Sequence, residues 1–211
     1  MFHNGAVSAS VPTLVVPRLG PTDRLVSLPR HALLDARTGA SPRLATTVRI
    51  GLRGRFLCVR FDGVDAGVVA THTRRDAPLW EEDVFEIFLA PRESPTVYFE
   101  FEVNPLGTLF DARIESPDLS RATMRTHADW SCPGFEARVT RREDRWSASV
   151  RVPLDPLLEG APPPPVWRAN FYRIDRGGHG AADEYSAWSP TLADPADFHV
   201  PKRFGLLNFR L

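Results

Sequence analysis

A short stretch at residues 76–91, DAPLWEEDVFEIFLAP, combines an aromatic ring with several carboxylates. Trp80 is followed directly by three acidic residues, and Glu86 lies within the apolar run that comes next. Carboxylates can accept hydrogen bonds from hydroxyl groups, hold a metal ion or transfer protons. A tryptophan places a flat apolar face beside them. The stretch therefore raises three kinds of chemistry, which are ligand binding, metal binding and catalysis.

The run that follows, YFEFEVN at residues 98–104, alternates apolar and polar side chains. This period of two is typical of a strand with one buried face. NPLG at residues 104–107 is a turn signal, so the next strand is expected to return antiparallel. If Val103 pairs with Thr108, Phe101 would face Phe110 inside the core.

The same register defines a polar face of the sheet. It would carry Glu86, Glu100, Glu102, Asp111 and Arg113. In this arrangement Glu86 and Asp111 would both lie opposite Glu100. Like charges directly opposite each other destabilise a strand pair unless they are solvated, bridged by arginine or bound to a ligand. A wet sheet face explains such a cluster as readily as a binding site does.

The elements that would position these residues are short strands. The 211 residues include 20 prolines and 14 glycines, which interrupt runs rich in Val, Phe, Leu and Trp. This rhythm predicts an all-β fold, an antiparallel β-sandwich of the jelly-roll or immunoglobulin-like two-sheet kind with little helix. Residues 1–39 are expected to form an irregular N-terminal leader packed on the domain, and residues 40–211 the sandwich itself.

The alternation gives explicit expectations for strands and core. We expect strands at Thr46–Gly51, Phe56–Asp62, Val84–Ala90, Val97–Asn104, Leu109–Glu115, Glu136–Arg141, Arg145–Val152, Trp167–Ile174 and Gly205–Leu211, and one helical turn at Asp155–Leu158. The predicted core consists of Phe85, Ile87, Phe99, Phe101, Val103, Phe110, Val150, Phe171, Leu207 and Phe209.

Composition argues against several partners. Lys+Arg and Asp+Glu are both 26, and the sequence shows no basic stripe, so we expect no nucleic acid partner. No apolar run is long enough to span a membrane, so no membrane partner is expected. The N-terminus lacks a basic start followed by an apolar block, the pattern of a secretory signal. Cys58 and Cys132 have no metal or redox spacing and are expected to be buried thiols.

Two tryptophans are the candidates for a ligand platform. Trp80 lies in a polar segment, and Trp188 lies in EYSAWSP, a loop-like stretch that ends at proline. Sugar rings present apolar C–H faces to an aromatic ring and hydroxyl groups to carboxylates, amides and arginine. Two such tryptophans beside a polar sheet face suit a carbohydrate ligand.

Several segments, taken in order, resemble a known family. They are LWEEDVFEIFLAP, YFEFEVNPLGTLFDARI, DRWSASVRVPL, WRANFYRID, EYSAWSP and FHVPKRFGLLNF. Together they resemble family 9 carbohydrate-binding modules, within the wider DOMON-like group of β-sandwiches. The resemblance runs from about Arg55 to Leu211. The Asp-Gly and tryptophan opening that is usual in the family is absent from the first 50 residues.

The resemblance implies a non-catalytic sugar-binding module, of a kind often attached to secreted enzymes that degrade xylan or cellulose. It implies a slot that holds a sugar between two tryptophans, at the positions of Trp80 and Trp188. The implied polar partners are Asp83, Glu86, Arg113, Asn170 and Arg173. The family also has calcium sites.

Other chemistries stay open. No cofactor is required, and a structural calcium ion is a candidate at Asp62 and Asp65 in FDGVDAG, although Asp62-Gly63 also reads as a hairpin turn. Glu86 and Glu100 could act as the acid and nucleophile of a glycoside hydrolase, which would need one of them in a sheltered pocket. A protein-interaction module with tryptophan and arginine anchors is a further alternative.

Overall fold

The computed structural model describes residues 10–65 and 67–209, apart from the side chain of His179. The strands are β1 Thr13–Val16, β2 His31–Ala32, β3 Leu34–Asp35, β4 Thr46–Arg53, β5 Phe56–Val64, β6 Val84–Ala90, β7 Val97–Val103, β8 Leu109–Glu115, β9 Arg125–His127, β10 Glu136–Arg142, β11 Arg145–Pro153, β12 Val166–Asp175, β13 Glu184–Ala187 and β14 Gly205–Phe209. One short α-helix, α1, spans Asp155–Leu158, and single 3₁₀ turns lie at Leu25–Ser27, Leu79–Glu81, Arg121–Thr123, Gly178–Gly180 and Pro201–Arg203.

These strands form two sheets, which confirms the predicted β-sandwich with little helix. The larger sheet has the order β1-β14-β12-β6-β7-β8-β9, with β13 beside β12 and β3 beside β13. The smaller sheet has the order β10-β11-β5-β4-β2. The pairs are antiparallel except for β1 with β14, which run parallel. The last two residues of the strand predicted at Gly205–Leu211 lie outside the described residues.

The main core lies between the two sheets and is rich in aromatic rings. Phe85 of the larger sheet is stacked between Phe61 and Trp146 of the smaller one, with ring centroids 4.7 and 3.8 Å apart. All ten residues predicted as core are buried, and all except Phe110 belong to this cluster. The alternating pattern therefore identified the face that packs between the sheets.

A second apolar cluster covers the opposite, outer face of the larger sheet. Phe88, Tyr98, Phe110 and Tyr172 belong to it, together with Phe204 from the segment that folds back over the sheet. Every residue of β6 is consequently buried. Of the two interpretations of its charges, a wet face or a binding site, the structure excludes an open wet face, because neighbouring segments enclose it.

The register between β7 and β8 differs by one residue from the prediction. Val103 pairs with Leu109 rather than with Thr108. The connection is one residue longer than NPLG, because the backbone N–H of Asn104 donates to the carbonyl of Thr108. The side-chain oxygen of Asn104 also accepts from the N–H groups of Leu106 and Thr108, which holds this longer turn closed.

A shift of one residue reverses the face of every side chain on β8. Phe110 therefore lies on the outer face opposite Glu102, while Asp111 lies opposite Phe101 on the core side. Arg113 pairs with Phe99. The prediction that Asp111 and Arg113 share the polar face with the glutamates is wrong. Glu86 also lies opposite Glu102 rather than Glu100.

The N-terminal segment is more regular than expected. β1 extends the larger sheet beside β14, and β2 adds an edge to the smaller sheet beside β4. These strands are short and lie at sheet edges, and the residues of β1 alternate between exposed and buried positions. The domain boundary at residue 40 stays a prediction. No helix among the described residues has the length and apolarity needed to cross a membrane.

Candidate functional site

A cleft of about 510 Å³ opens on the outer face of the larger sheet. Its lining includes Trp80, Glu86, Glu100, Phe110, Arg121, Met124, Ile174, Arg176, Tyr185, Asp197, Phe198 and His199. Glu86, Glu100 and Phe110 come from three adjacent strands, β6, β7 and β8, and all point to the same side of the sheet. The alternation of the strands thus brings acids and an aromatic ring together at the base of the cleft.

Trp80 forms one wall and leaves much of its ring open to solvent. It lies in the 3₁₀ turn that precedes β6, and 41% of its surface is exposed. Its ring meets Phe110 edge to face, with the centroids 5.2 Å apart. The guanidinium of Arg176 donates to the backbone carbonyl of Trp80 and to the hydroxyl of Tyr185. Arg176 therefore ties two aromatic residues of the cleft to one strand end.

The opposite wall is built from two loops joined by an ion pair. Arg121 and Asp197 lie 3.1 Å apart, between the segment that follows β8 and the segment that precedes β14. His199 shares a hydrogen bond of 2.8 Å with the hydroxyl of Tyr98 through its Nδ1. Burial lowers the pKa of His199 to about 3, so its ring is neutral across the physiological range. This wall offers a permanent cation and a neutral imidazole.

Three glutamates lie close together beneath the cleft. Glu86, Glu100 and Glu102 each offer an oxygen within 4.8 Å of the others. Burial raises the pKa of Glu100 to about 7. Burial, with the neighbouring carboxylates added, holds the pKa values of Glu86 and Glu102 well above their usual range. Because charged carboxylates are costly to bury together, protons are retained here at neutral pH.

Trp188 does not join this cleft, although it was predicted as the second tryptophan of the slot. Only 7% of its surface is exposed, and its ring packs against Phe171 in the core between the sheets. A Cβ added to Gly205 would lie 2.4 Å from this ring, so the glycine is what makes room for it. The pairing of Trp80 with Trp188 across one slot is wrong.

The alternation of β13 explains why Trp188 turns away. Tyr185 pairs with Ile174 on the outer face, and Ser186 pairs with Arg173 on the core side. Trp188, two residues after Ser186, has the same parity and enters the core. The segment EYSAWSP does supply an aromatic ring to the cleft, but the ring is that of Tyr185.

Asp83 and Arg173 also lie on the core side, away from Trp80. The Asp83 carboxylate accepts from the backbone N–H groups of Val69 and Arg176, at 2.6 and 2.8 Å. Burial raises its pKa to about 6. The Arg173 guanidinium donates to Asp65 at 3.1 Å and to Asp175 at 2.5 Å. These residues bind the two sheets together instead of facing the cleft.

The remaining predicted polar partners have structural roles. Asn170 donates to the hydroxyl of Tyr172 and to the carbonyl of Ser189, and its oxygen accepts from the Ser189 N–H. Its hydrogen-bonding groups are therefore engaged within the protein. Arg113 pairs with Glu115, and its Nε lies 3.8 Å from Glu159. Of the residues predicted for the site, the structure brings only Trp80 and Glu86 into the cleft.

A match to a family model covers residues 38–209 and is described as carbohydrate-binding family 9. The chain belongs to carbohydrate-binding family 9. The predicted family is thereby confirmed, and the predicted function, non-catalytic carbohydrate binding, is that of the family. A relative described as an extracellular protein, from Arthroderma benhamiae, is 25% identical over 175 residues, which are 78% of each chain.

Several solved structures share the fold. A protein from Bacteroides uniformis with a proposed carbohydrate-binding role has a TM-score of 0.76 at 18% identity, covering 95% of this chain and all of its own. A family 9 module from Caldicellulosiruptor kristjanssonii, solved with cellotriose, has a TM-score of 0.66 at 12% identity, with 94% and 93% covered. At these identities the likeness concerns the fold alone.

Sequence reasoning missed several residues that line the cleft of this family 9 chain. Tyr185 and Arg176 flank Trp80, and Arg121, Asp197 and His199 close the other side. Alternation along EYSA would have pointed to Tyr185. The loop residues carry no such signal, because their positions depend on how the segments fold over the sheet.

The structure places the two acids of FDGVDAG that were predicted as calcium ligands, Asp62 and Asp65, in different clusters. Asp62 lies on the outer face of the smaller sheet, where it pairs with Arg49 and Arg60. Asp65 belongs to a different cluster with Asp83 and Asp175, whose oxygens lie within 4.8 Å of one another. In that cluster the Arg173 guanidinium already supplies the positive charge.

Arg173→Ala should therefore destabilise the fold and create a calcium-dependent protein. Removing the buried partner of two carboxylates is expected to cost about 3–5 kcal/mol in urea unfolding. Millimolar CaCl₂ should restore part of this loss, because three carboxylates then remain within the reach of one ion. Wild type should not respond to calcium, and Arg168→Ala on the same strand serves as the control. Equal stabilisation of wild type by calcium would contradict the assignment.

Glu102→Gln should stabilise the protein at pH 8 by about 1–3 kcal/mol, since both Glu102 oxygens are buried without a hydrogen-bond partner among the described residues. The folded pKa of Glu102 is raised, so its contribution to stability is full at low pH and is lost as pH rises through that pKa. Thermal melts at pH 4 and pH 8 should show a difference only at pH 8. A variant less stable than wild type at pH 8 would instead indicate a cation held by the carboxylate.

Proposed function

We propose that this chain binds a sugar without breaking a bond, and that the sugar ring stacks on Trp80 in the cleft. The observation that carries the proposal is the large exposed ring of Trp80 beside buried acids on a sheet face. An aromatic platform flanked by polar groups is the arrangement that recognises the apolar faces and hydroxyl rims of sugars. Family membership and the cellotriose and glucose complexes of the structural neighbours support the same ligand class.

The polar groups of the cleft would read the hydroxyls in two ways. A protonated Glu86 can donate to a ring or hydroxyl oxygen, while an ionised Glu100 accepts from a hydroxyl. Arg121 and Arg176 add donors at the two sides. A single exposed tryptophan wall, with Tyr185 as the second aromatic residue, replaces the predicted pair of tryptophans.

Trp80→Ala should weaken sugar binding by about 1–3 kcal/mol, because the stacking surface is removed. Isothermal titration calorimetry with glucose, cellotriose and xylo-oligosaccharides measures this directly. The fold should survive, since the ring is partly exposed. Leu106→Ala is the matched control, as 42% of Leu106 is exposed and it lies away from the cleft lining.

Three results would count against the proposal. Binding that is unchanged in Trp80→Ala would place the site elsewhere. No binding of any sugar by folded wild type would favour a protein-interaction module. Release of reducing ends from a glycan would show catalysis, and Glu86→Gln and Glu100→Gln would then be the variants to assay.

Sugar affinity should fall as pH drops through about 7, because Glu100 then gains a proton. A carboxylate accepts a hydroxyl more strongly than its neutral acid does. The sequence alone would place this transition near 4, the usual carboxyl pKa; burial moves it upward. Titration of affinity from pH 5 to pH 9 in wild type and Glu100→Gln checks it, and a flat wild-type profile would exclude an ionised Glu100 from binding.

A further inference from the structure

The outer face of the smaller sheet concentrates positive charge in a chain whose net charge is zero. Alternate residues of β4, β5, β10 and β11 point to this side. They include seven arginines, Arg49, Arg53, Arg60, Arg138, Arg142, Arg145 and Arg151, against two acids, Asp62 and Glu136. We call this surface the arginine face. These arginines form no basic stripe in the sequence, because they are scattered along the chain. Only the pairing register of the strands brings them to one surface.

The acids on the arginine face do not neutralise it. Arg49 and Arg60 are directly opposite each other on neighbouring strands and share the single carboxylate of Asp62. Glu136 pairs with Arg151, and Asp144 of the turn between β10 and β11 pairs with Arg145. Arg138 and Arg142 make no ion pair with any described residue. Like charges placed opposite each other are costly in a sheet unless an anion lies between or above them.

A groove runs over this face with a floor of hydroxyl groups. It has a volume of about 650 Å³ and is bounded by Val26 and Arg30 of the N-terminal segment. Thr47, Thr140 and Ser147 contribute hydroxyl groups to its lining. Ser147 and its neighbour on the same face, Ser149, lie on β11 beside the central strand β5 and accept from Arg60 at 3.1 Å each. Short serine side chains in the centre, with long arginines on both sides, make the face concave.

Arg49 lines this groove, and its guanidinium is fixed in position there. Only 4% of its surface is exposed, yet its Nε is buried without a hydrogen-bond partner among the described residues. A buried unsatisfied donor is costly, and an acceptor from outside would remove that cost. Its Nη1 donates to Asp62, so the guanidinium is held in position at the groove.

We propose that the arginine face is a second glycan site, which binds an acidic polysaccharide through its uronate carboxylates. Planar carboxylates match the fork of arginine donors, and the serine and threonine hydroxyls suit sugar hydroxyl groups. A single-stranded nucleic acid would need exposed aromatic rings for its bases. The aromatic residue on the sheet strands of this face is Phe56, and the Arg151 guanidinium covers its ring at 4.3 Å. This site is separate from the cleft and does not depend on it.

The test is the binding of full-length protein to polygalacturonate, measured by affinity electrophoresis and calorimetry at low and high salt. Wild type should bind at low salt and lose affinity as salt rises, because the charges are exposed. The double variant Arg138→Gln/Arg142→Gln should bind about tenfold more weakly or worse, since two charge-assisted contacts are lost. These residues lie on an edge strand and make no ion pair, so the fold should be retained.

Arg74→Gln/Arg92→Gln is the matched control, with the same change of charge outside the smaller sheet, and it should bind like wild type. Equal weakening in both double variants would reduce the effect to net charge and overturn the proposal. Absence of binding to polygalacturonate at low salt would overturn it too. Tighter binding to single-stranded or duplex DNA of matched charge would assign the face to nucleic acid instead. An unchanged thermal melt of the double variant reports that the protein is folded.

Discussion

The burial of both faces of strand β6 is the constraint on which the rest of the structure depends. Its core side packs between the sheets, where Phe85 is stacked between Phe61 and Trp146. Its outer side is enclosed by loops, so that Glu86 is buried rather than solvated. On a face that water reached, the carboxylates would keep their usual pKa values. Enclosure raises their pKa values instead, and turns an acidic surface into a partly protonated floor that can both donate and accept.

Charge is separated between the two sheets in a way that net charge hides. A cluster of acids lies beneath the cleft on the larger sheet, and arginines outnumber acids on the outside of the smaller one. Between the two sheets, the Arg173 guanidinium pairs with both Asp65 and Asp175. The internal guanidinium of Arg173 thus supplies a positive charge that holds these carboxylates together.

The parts of the fold that depend on alternation were predictable, and the parts that depend on loop length were not. The bounds of β6 and β8 match the sequence, as does the turn of helix at α1. The placement of Arg113 failed because Asn104 closes a connection one residue longer than the NPLG signal suggests. The prediction of the site residues failed mainly because it did not apply the alternation of side chains between the two faces of a strand. Asp83 and Glu86 stand three residues apart on one extended segment, so they must face opposite ways, as Asn170 and Arg173 do.

Family motifs locate a segment more reliably than they locate a side chain. EYSAWSP belongs beside the cleft, yet a strand offers only every second residue to one face, and Tyr185 is the one that reaches it. Trp188 is the larger ring, but Gly205 gives it a place in the core that it could not have beside a bulkier residue. A sugar stacked on one tryptophan gains less apolar contact than one held between two. In the binding mode that we propose, recognition would rely more on the arginines and on the glutamates, whose hydrogen bonding changes with protonation.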